Sequence, residues 1–283
     1  MGYLSKQLSK YVVKTEDNRI LLIDEVSRIC KKDSIETGNG IGTIDLLDHD
    51  PIHAIYVLAH HHLSLFSEEV SVIPLMEEYY DIVSAAEEEY LPTGPPMSPL
   101  TKSYFTFWAF FDVRLGPDKE TLGTCFLDVG EKLNIYQSLL EIVRLMQNSR
   151  MGLYEHQGVC QGKVVLQELV TDRKNLCFVP AGYQGEKGEL WFVRILPSPF
   201  DMCKYSVVMN TPYVLRNESK KDWEIYIKKI LPTAESTNTP FEAYGDLMKY
   251  GLTLHYWNEF IFSSYYKNQY DAIFLQGLPD ILP

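Results

Sequence analysis

Lysine and arginine are absent from a long stretch of this sequence, between Asp33 and Thr101. The same stretch holds thirteen acidic residues, and the acids elsewhere are matched almost one for one by the chain's 26 lysines and arginines. The net charge of −12 therefore originates in this segment. A concentrated negative field repels phosphate groups and attracts cations or basic surfaces. The sequence thus argues against a nucleic-acid partner and predicts a basic protein surface as the partner.

Signals for secretion and membrane insertion are also missing. No stretch approaches the ~20 apolar residues that a spanning helix needs. Lysines interrupt the first turns of the chain, and no apolar signal core follows them. The five cysteines are odd in number and contain no CxxC pair, which is typical of reduced thiols in a cytosolic protein. We therefore expect a soluble, cytoplasmic protein that does not contact a membrane.

Motifs that carry catalytic chemistry are missing as well. The sequence has no GxSxG nucleophile elbow and no Walker A motif, and Gly38, Gly40 and Gly42 do not form GxGxxG. The glycine-rich stretch 179–189 (VPAGYQGEKGE) predicts a long hairpin loop with glycines at positive φ. The sequence leaves open whether the chain is an enzyme, and it does not specify an oligomeric state.

Hydrophobic periodicity predicts a mainly helical region over residues 1–150. Asp50 followed by Pro51 is a helix start that combines an N-cap with proline at the first helical position. Residues 121–129 (TLGTCFLDV) predict a short strand, and the proline-rich stretch 91–100 predicts a rigid connector. The predicted helices of this region are 3–14, 19–32, Pro51 to about Phe66, Pro74 to Leu91, 101–115 and 132–149, and a strand is the alternative over 101–115.

The pattern changes near Met151 to short strands separated by turns, which is typical of an antiparallel sheet or small barrel. This β module is predicted over 152–215, within a second region of residues 151–283, and helices follow it. The overall prediction is an α+β fold. The predicted strands are 152–159, 163–170, 175–180, 189–196 and 204–210, and the predicted helices begin after Ser219 and cover 240–250 and 253–267, before a closing strand at 272–276.

The helix predicted from Pro74 to Leu91 separates its apolar and acidic residues. Leu75, Tyr79 and Ala86 mark the apolar face, whereas the acids fall mainly on the other side. We predict that these acids form the partner-binding surface of a non-catalytic interaction or regulatory protein. The acids are Glu77, Glu78, Asp81, Glu87, Glu88 and Glu89.

A metal-dependent enzyme is the alternative hypothesis. His53 and His60 are seven residues apart on the helix that begins at Pro51, so they lie nearly on one line and could bind a divalent metal ion together with carboxylates. Against this hypothesis, a run of histidines is more often a partly solvated surface feature. If the acidic surface is the functional feature, no cofactor is expected.

The densest aromatic run of the chain, residues 104–111 (YFTFWAFF), allows a third hypothesis. Together with the proline-rich connector, the run could dock a scaffold subunit into a larger assembly. Aromatic runs in cytosolic proteins are mostly buried, so we favour a place in the core.

Overall fold

The structure is a computed structural model, and it describes residues 1–14, 50–92, 98–231 and 239–279. The predicted helix over 19–32 and the predicted loop over 37–42 lie outside these residues. The helices are α1 (Tyr3–Lys14), α2 (Pro51–Val70), α3 (Glu77–Tyr90), α4 (Lys102–Phe111), α5 (Leu122–Lys132), α6 (Gln137–Asn148), α7 (Lys220–Ile230), α8 (Pro240–Tyr250) and α9 (Tyr256–Ser263), with 3₁₀ turns at Pro74–Met76 and Pro199–Asp201. The strands are β1 (Met151–Cys160), β2 (Lys163–Glu168), β3 (Lys174–Phe178), β4 (Leu190–Leu196), β5 (Ser206–Val208), β6 (Tyr213–Arg216), β7 (Tyr265–Asn268) and β8 (Ile273–Gln276).

The chain forms two compact units. The first contains Met1–Asp81 and Val113–Asn148, and the second contains Ile82–Asp112 and Ser149–Pro283. In the first unit α1 packs against α5, and α2 packs against α5 and α6. Within the described ranges, no helix combines the length and apolar character required to span a lipid bilayer.

The predicted start of α2 is confirmed. The Asp50 carboxylate accepts hydrogen bonds from the backbone N–H groups of Ile52 (3.1 Å) and His53 (3.2 Å), and Pro51 occupies the first helical position. These bonds satisfy two of the N–H groups that every helix leaves unpaired at its start. The helix continues to Val70, one turn beyond the predicted end.

The strand predicted over 121–129 is wrong, because these residues begin α5. Thr121 and Thr124 form a reciprocal capping box, in which each side chain accepts a hydrogen bond from the other residue's backbone N–H (3.2 Å and 2.8 Å). Leu122, Cys125 and Val129 then share a buried face at helical spacing. The cap and this face outweigh the β propensity of the segment's threonine, valine and phenylalanine residues.

A distant acidic residue caps the start of α1. The Glu120 carboxylate accepts hydrogen bonds from the backbone N–H groups of Leu4 (2.6 Å) and Ser5 (3.0 Å) and from the Ser5 hydroxyl. Asp118 accepts a further bond from the Tyr3 N–H (2.6 Å). The negative charge also faces the positive end of the helix dipole. A β-bridge between Leu115 and Glu120 fixes the turn that presents both carboxylates.

Replacing Glu120 by alanine is expected to lower the free energy of unfolding by about 1–3 kcal/mol, because buried N–H donors lose a charged acceptor. Urea unfolding at an unchanged m-value measures this loss. Asp118→Ala is the control, since Asp118 is exposed and accepts its hydrogen bond from the Tyr3 N–H at the same helix start. Equal losses in the two variants would contradict the assignment of Glu120 as the main cap of α1.

The second unit contains a closed five-stranded barrel. β1 pairs with β2, β2 with β3, β3 with β5, β5 with β4, and β4 returns to β1. The first four strands therefore form a Greek key. β1 pairs with β4 over Met151–Glu155 and with β2 over Tyr154–Cys160, and a bulge between His156 and Gly158 bends it. The predicted α+β fold with a helical N-terminal half, a small barrel and C-terminal helices is confirmed.

Two strands of this unit differ from the prediction. β6 is absent from the predicted elements, and the helix predicted over 253–267 ends at Ser263 before β7. β6 extends the line of β5 along β4, and Asn210 bridges the gap by accepting a hydrogen bond from the Arg194 N–H (2.7 Å). The closing strand predicted over 272–276 is β8, and it pairs with β6 in parallel, an arrangement that the sequence did not predict. The sheet is antiparallel except at the β3–β5 and β6–β8 pairs.

The aromatic helix α4 belongs to the core, as favoured from the sequence. Seven of its residues are buried, including Tyr104, Trp108 and Phe111. The Tyr104 hydroxyl donates a hydrogen bond to Asn258 (3.0 Å), and the Trp108 indole N–H donates one to the Leu254 carbonyl (3.3 Å). The aromatic run therefore offers no exposed docking surface.

The described parts of the predicted connector, residues 91–92 and 98–100, lie in neither helix nor strand. Residues 93–97 fall outside the structure's described ranges. The Tyr213 hydroxyl donates a hydrogen bond to the Pro99 carbonyl (3.3 Å) and accepts one from the Thr101 N–H (3.2 Å). These bonds fix the end of the connector beside β6.

Candidate functional site

The acidic helix is α3, and all six predicted partner-binding residues are exposed on it. Tyr79, Ala86 and Tyr90 are its buried residues. Glu77, Glu78 and Asp81 belong to the first unit, and the other three acids belong to the second. The separation of acidic and apolar faces therefore exists as the sequence predicts, and the exposed acids are Glu77, Glu78, Asp81, Glu87, Glu88 and Glu89.

These six carboxylates are not neutralised within the described residues. None of them lies within 4.0 Å of a lysine, arginine or histidine nitrogen there. Glu77 and Glu78 occupy the first turn of α3, where the helix dipole favours negative charge. The last turn holds three glutamates and no base, and each acid there is unfavourable by about 0.3–1 kcal/mol. Helix stability therefore does not explain the three glutamates at this end.

Glu259 adds to the negative charge at the end of α3. Burial raises the pKa of Tyr90, and the negative charges of Glu89 and Glu259 raise it further. Glu259 is exposed on α9. The sequence prediction missed this residue, because nothing in the local pattern of α9 connects it with α3.

A small pocket opens beside the first turn of α3, within the first unit. Its volume is about 210 Å³. Among the described residues that line it, Glu78 alone carries a carboxylate, and the others are aromatic or apolar. The lining residues are Tyr3, Leu4, Leu75, Glu78, Tyr79 and Leu115–Pro117. No local pattern predicts this pocket, since its walls come from three segments that are far apart in the sequence.

The candidate metal ligands His53 and His60 both lie half-buried on α2, as their spacing predicts. His62 is buried, and burial together with the charge of His61 lowers the pKa of its imidazole. Within the described ranges, no three or more histidine, cysteine, aspartate or glutamate residues are grouped to hold a metal ion. His49 lies outside those ranges. The metal hypothesis gains no further ligand from the structure and stays a prediction.

The histidine and cysteines of the barrel do not form a reactive group. His156 Nε2 donates a hydrogen bond to the Gln184 carbonyl (2.8 Å), and its Nδ1 accepts one from the Gly158 N–H (3.1 Å). Both ring nitrogens are therefore hydrogen-bonded to the backbone. Burial raises the pKa of the Cys177 thiol, which disfavours the reactive thiolate. The bonds of His156 instead anchor the 179–189 loop, in which Gly182, Gly185 and Gly188 adopt positive φ as predicted. The flanking strands β3 and β4 do not pair, so the loop is not a hairpin.

The second unit also holds a buried cluster of charges that the sequence did not predict. Arg194 Nη2 donates a hydrogen bond to Asp112 Oδ2, and the Lys249 Nζ lies 3.7 Å from Asp112 Oδ1. Lys249 also donates to the Ser149 carbonyl (3.0 Å). The three charged side chains are only 2–10% exposed, so no substrate has access to them. The cluster ties the end of α4 to β4 and α8.

Comparison with known proteins adds no assignment to these features. No protein-family model, curated protein or solved structure matches the chain. A function must therefore be argued from the exposed acids of α3 and the pocket beside them. Barrel architecture alone does not supply it, because one fold serves many functions.

Proposed function

We propose that the chain is a cytoplasmic, non-catalytic protein that binds a basic protein surface through the exposed acids of α3. The observation that carries this proposal is the run Glu87–Glu89 at the end of the helix. These residues are exposed, have no base within ion-pair distance among the described residues, and oppose the helix dipole. Uncompensated charge of this kind is favourable when an oppositely charged partner approaches it.

The cytoplasmic part of the proposal is supported by the cysteines. The four within the described ranges are Cys125, Cys160, Cys177 and Cys203, and all are unpaired thiols. Unpaired cysteines are typical of reducing compartments.

The proposal is tested with a fluorescently labelled peptide of alternating lysine and glycine, whose binding is followed by anisotropy. Neutralising Glu87, Glu88 and Glu89 to glutamine is expected to weaken binding about tenfold, at about 0.5 kcal/mol per exposed charge. Raising NaCl from about 0.05 M to about 0.5 M is expected to weaken binding of the unmodified protein steeply.

A matched triple variant separates a defined surface from net charge. Glu141, Glu186 and Asp246 are exposed acids on other elements, and their conversion to Gln, Gln and Asn changes the net charge by the same amount. Binding by this control is expected to stay within about twofold of the unmodified protein, because distant exposed charges are screened. Equal weakening in the two triple variants, or binding that is insensitive to salt, would refute the proposal.

A further inference from the structure

We propose that the pocket beside Glu78 binds a single arginine side chain of the basic partner. This inference rests on the proposed function and specifies how the partner is recognised at the start of α3. Glu78 is one of the acids predicted for partner binding, and it lines this pocket.

The pocket walls are fixed before any ligand enters. Asp118 and Glu120 hold the backbone of Tyr3 and Leu4, and reciprocal backbone hydrogen bonds between Leu115 and Glu120 (2.7 Å and 2.9 Å) fix the turn opposite them. Gly116 on this turn has a φ of 64°, and a Cβ there would lie 3.3 Å from the Leu4 side chain. A site that is held in this way loses little entropy when a side chain enters it.

The size of the pocket fits one long side chain. Small-molecule sites usually enclose about 300–1,000 Å³, whereas this pocket encloses about 210 Å³. Leu4 and Leu75 offer an apolar wall for an aliphatic stem, and Glu78 offers a carboxylate for a cationic head. Lysine and arginine are the side chains that combine such a stem with such a head.

Arginine fits the pocket better than lysine. Its planar guanidinium pairs with a carboxylate through two parallel hydrogen bonds and stacks on aromatic rings, whereas an ammonium group does neither as well. Tyr3 and Tyr79 provide rings in the lining, and Tyr3 is 45% exposed at the rim. Lys119 is a basic residue on the turn that carries Gly116, but it does not line the pocket.

The test compares labelled peptides of alternating arginine and glycine with matched lysine and glycine peptides. We expect the arginine peptide to bind the unmodified protein more tightly than the lysine peptide, and Glu78→Gln to weaken arginine-peptide binding about tenfold. Glu141→Gln is the matched control, because Glu141 is an exposed acid of the first unit that lies on α6, outside the acidic surface of α3, and does not line the pocket. Its effect is expected to stay within about twofold.

A second variant tests the pocket without changing charge. Tyr3→Ser removes a ring from the rim, and we expect it to weaken the arginine peptide more than the lysine peptide. Far-UV circular dichroism and thermal unfolding confirm that each variant is folded. Equal effects of Glu141→Gln and Glu78→Gln, or equal binding of the two peptides, would overturn the arginine assignment.

The same peptides distinguish failure of the pocket from failure of the proposed function. If binding depends on Glu87, Glu88 and Glu89 but not on Glu78, the pocket assignment is wrong and the acidic surface stands. If neither peptide binds the unmodified protein, both proposals are wrong.

Discussion

Asp112→Asn is expected to lower the free energy of unfolding by about 3–5 kcal/mol, which is the usual cost of removing one partner from a buried ion pair. Asparagine keeps the shape of the side chain but removes the charge that faces Arg194 and Lys249. Burial raises the pKa of Asp112, whereas the two cations oppose this increase. The variant therefore leaves two cations in a site with almost no access to water. Chemical unfolding followed by circular dichroism measures the loss.

An exposed ion pair supplies the control for this prediction. Glu131 bonds to Arg144 in the first unit, and both side chains are accessible to solvent. Glu131→Gln is expected to change the free energy of unfolding by less than about 1 kcal/mol. If Asp112→Asn costs no more than this control, the buried cluster is not a determinant of stability.

Lys249→Met is expected to change how stability depends on pH. Burial lowers the pKa of Lys249 from 10.5 to about 8 in the folded protein. Between these values the unfolded chain holds a proton that the folded chain lacks, so the stability of the unmodified protein rises with pH. Below about pH 8 the folded protein instead carries a buried ammonium group at a cost in free energy.

The contribution of Lys249 is isolated by comparing how the free energy of unfolding depends on pH in the unmodified protein and in Lys249→Met. Relative to Lys249→Met, the unmodified protein is expected to gain about 3 kcal/mol between pH 7 and pH 10.5, because one pKa unit corresponds to about 1.4 kcal/mol. Urea unfolding across this range measures the difference. Lys228→Met on α7 is the control, since Lys228 is exposed and its ammonium stays in water in both states. If the difference in unfolding free energy between the unmodified protein and Lys249→Met stays constant across this pH range, the Lys249 ammonium remains hydrated in the folded protein.

Local signals in the sequence predicted the elements whose caps and faces are formed by neighbouring residues. Asp50 and Pro51 predicted the start of α2, and Ser219 predicted the start of α7, where it forms a capping box with Asp222. Thr121 also caps a helix, but its box uses Thr124 in place of the usual glutamate or glutamine, and the segment was predicted as a strand. The exposure of the acids on α3 followed from helical periodicity alone.

Contacts between distant segments could not be predicted in this way. The bond between Glu120 and Ser5 spans 115 positions, and the pair of Asp112 and Arg194 spans 82. Each of these residues looks like an ordinary charged or polar position until the tertiary fold buries it. The pocket beside Glu78 has the same origin, since its walls come from three separate segments.

The parallel pairing of β6 with β8 has a consequence for folding. The two strands are joined by a connection that includes α7, α8 and α9, so their hydrogen bonds close a long loop and are slow to form. Until β8 arrives, the outer edge of β6 presents unpaired backbone groups that can capture a strand from another chain. We therefore expect refolding yields to fall as protein concentration rises, with aggregates nucleated at this edge.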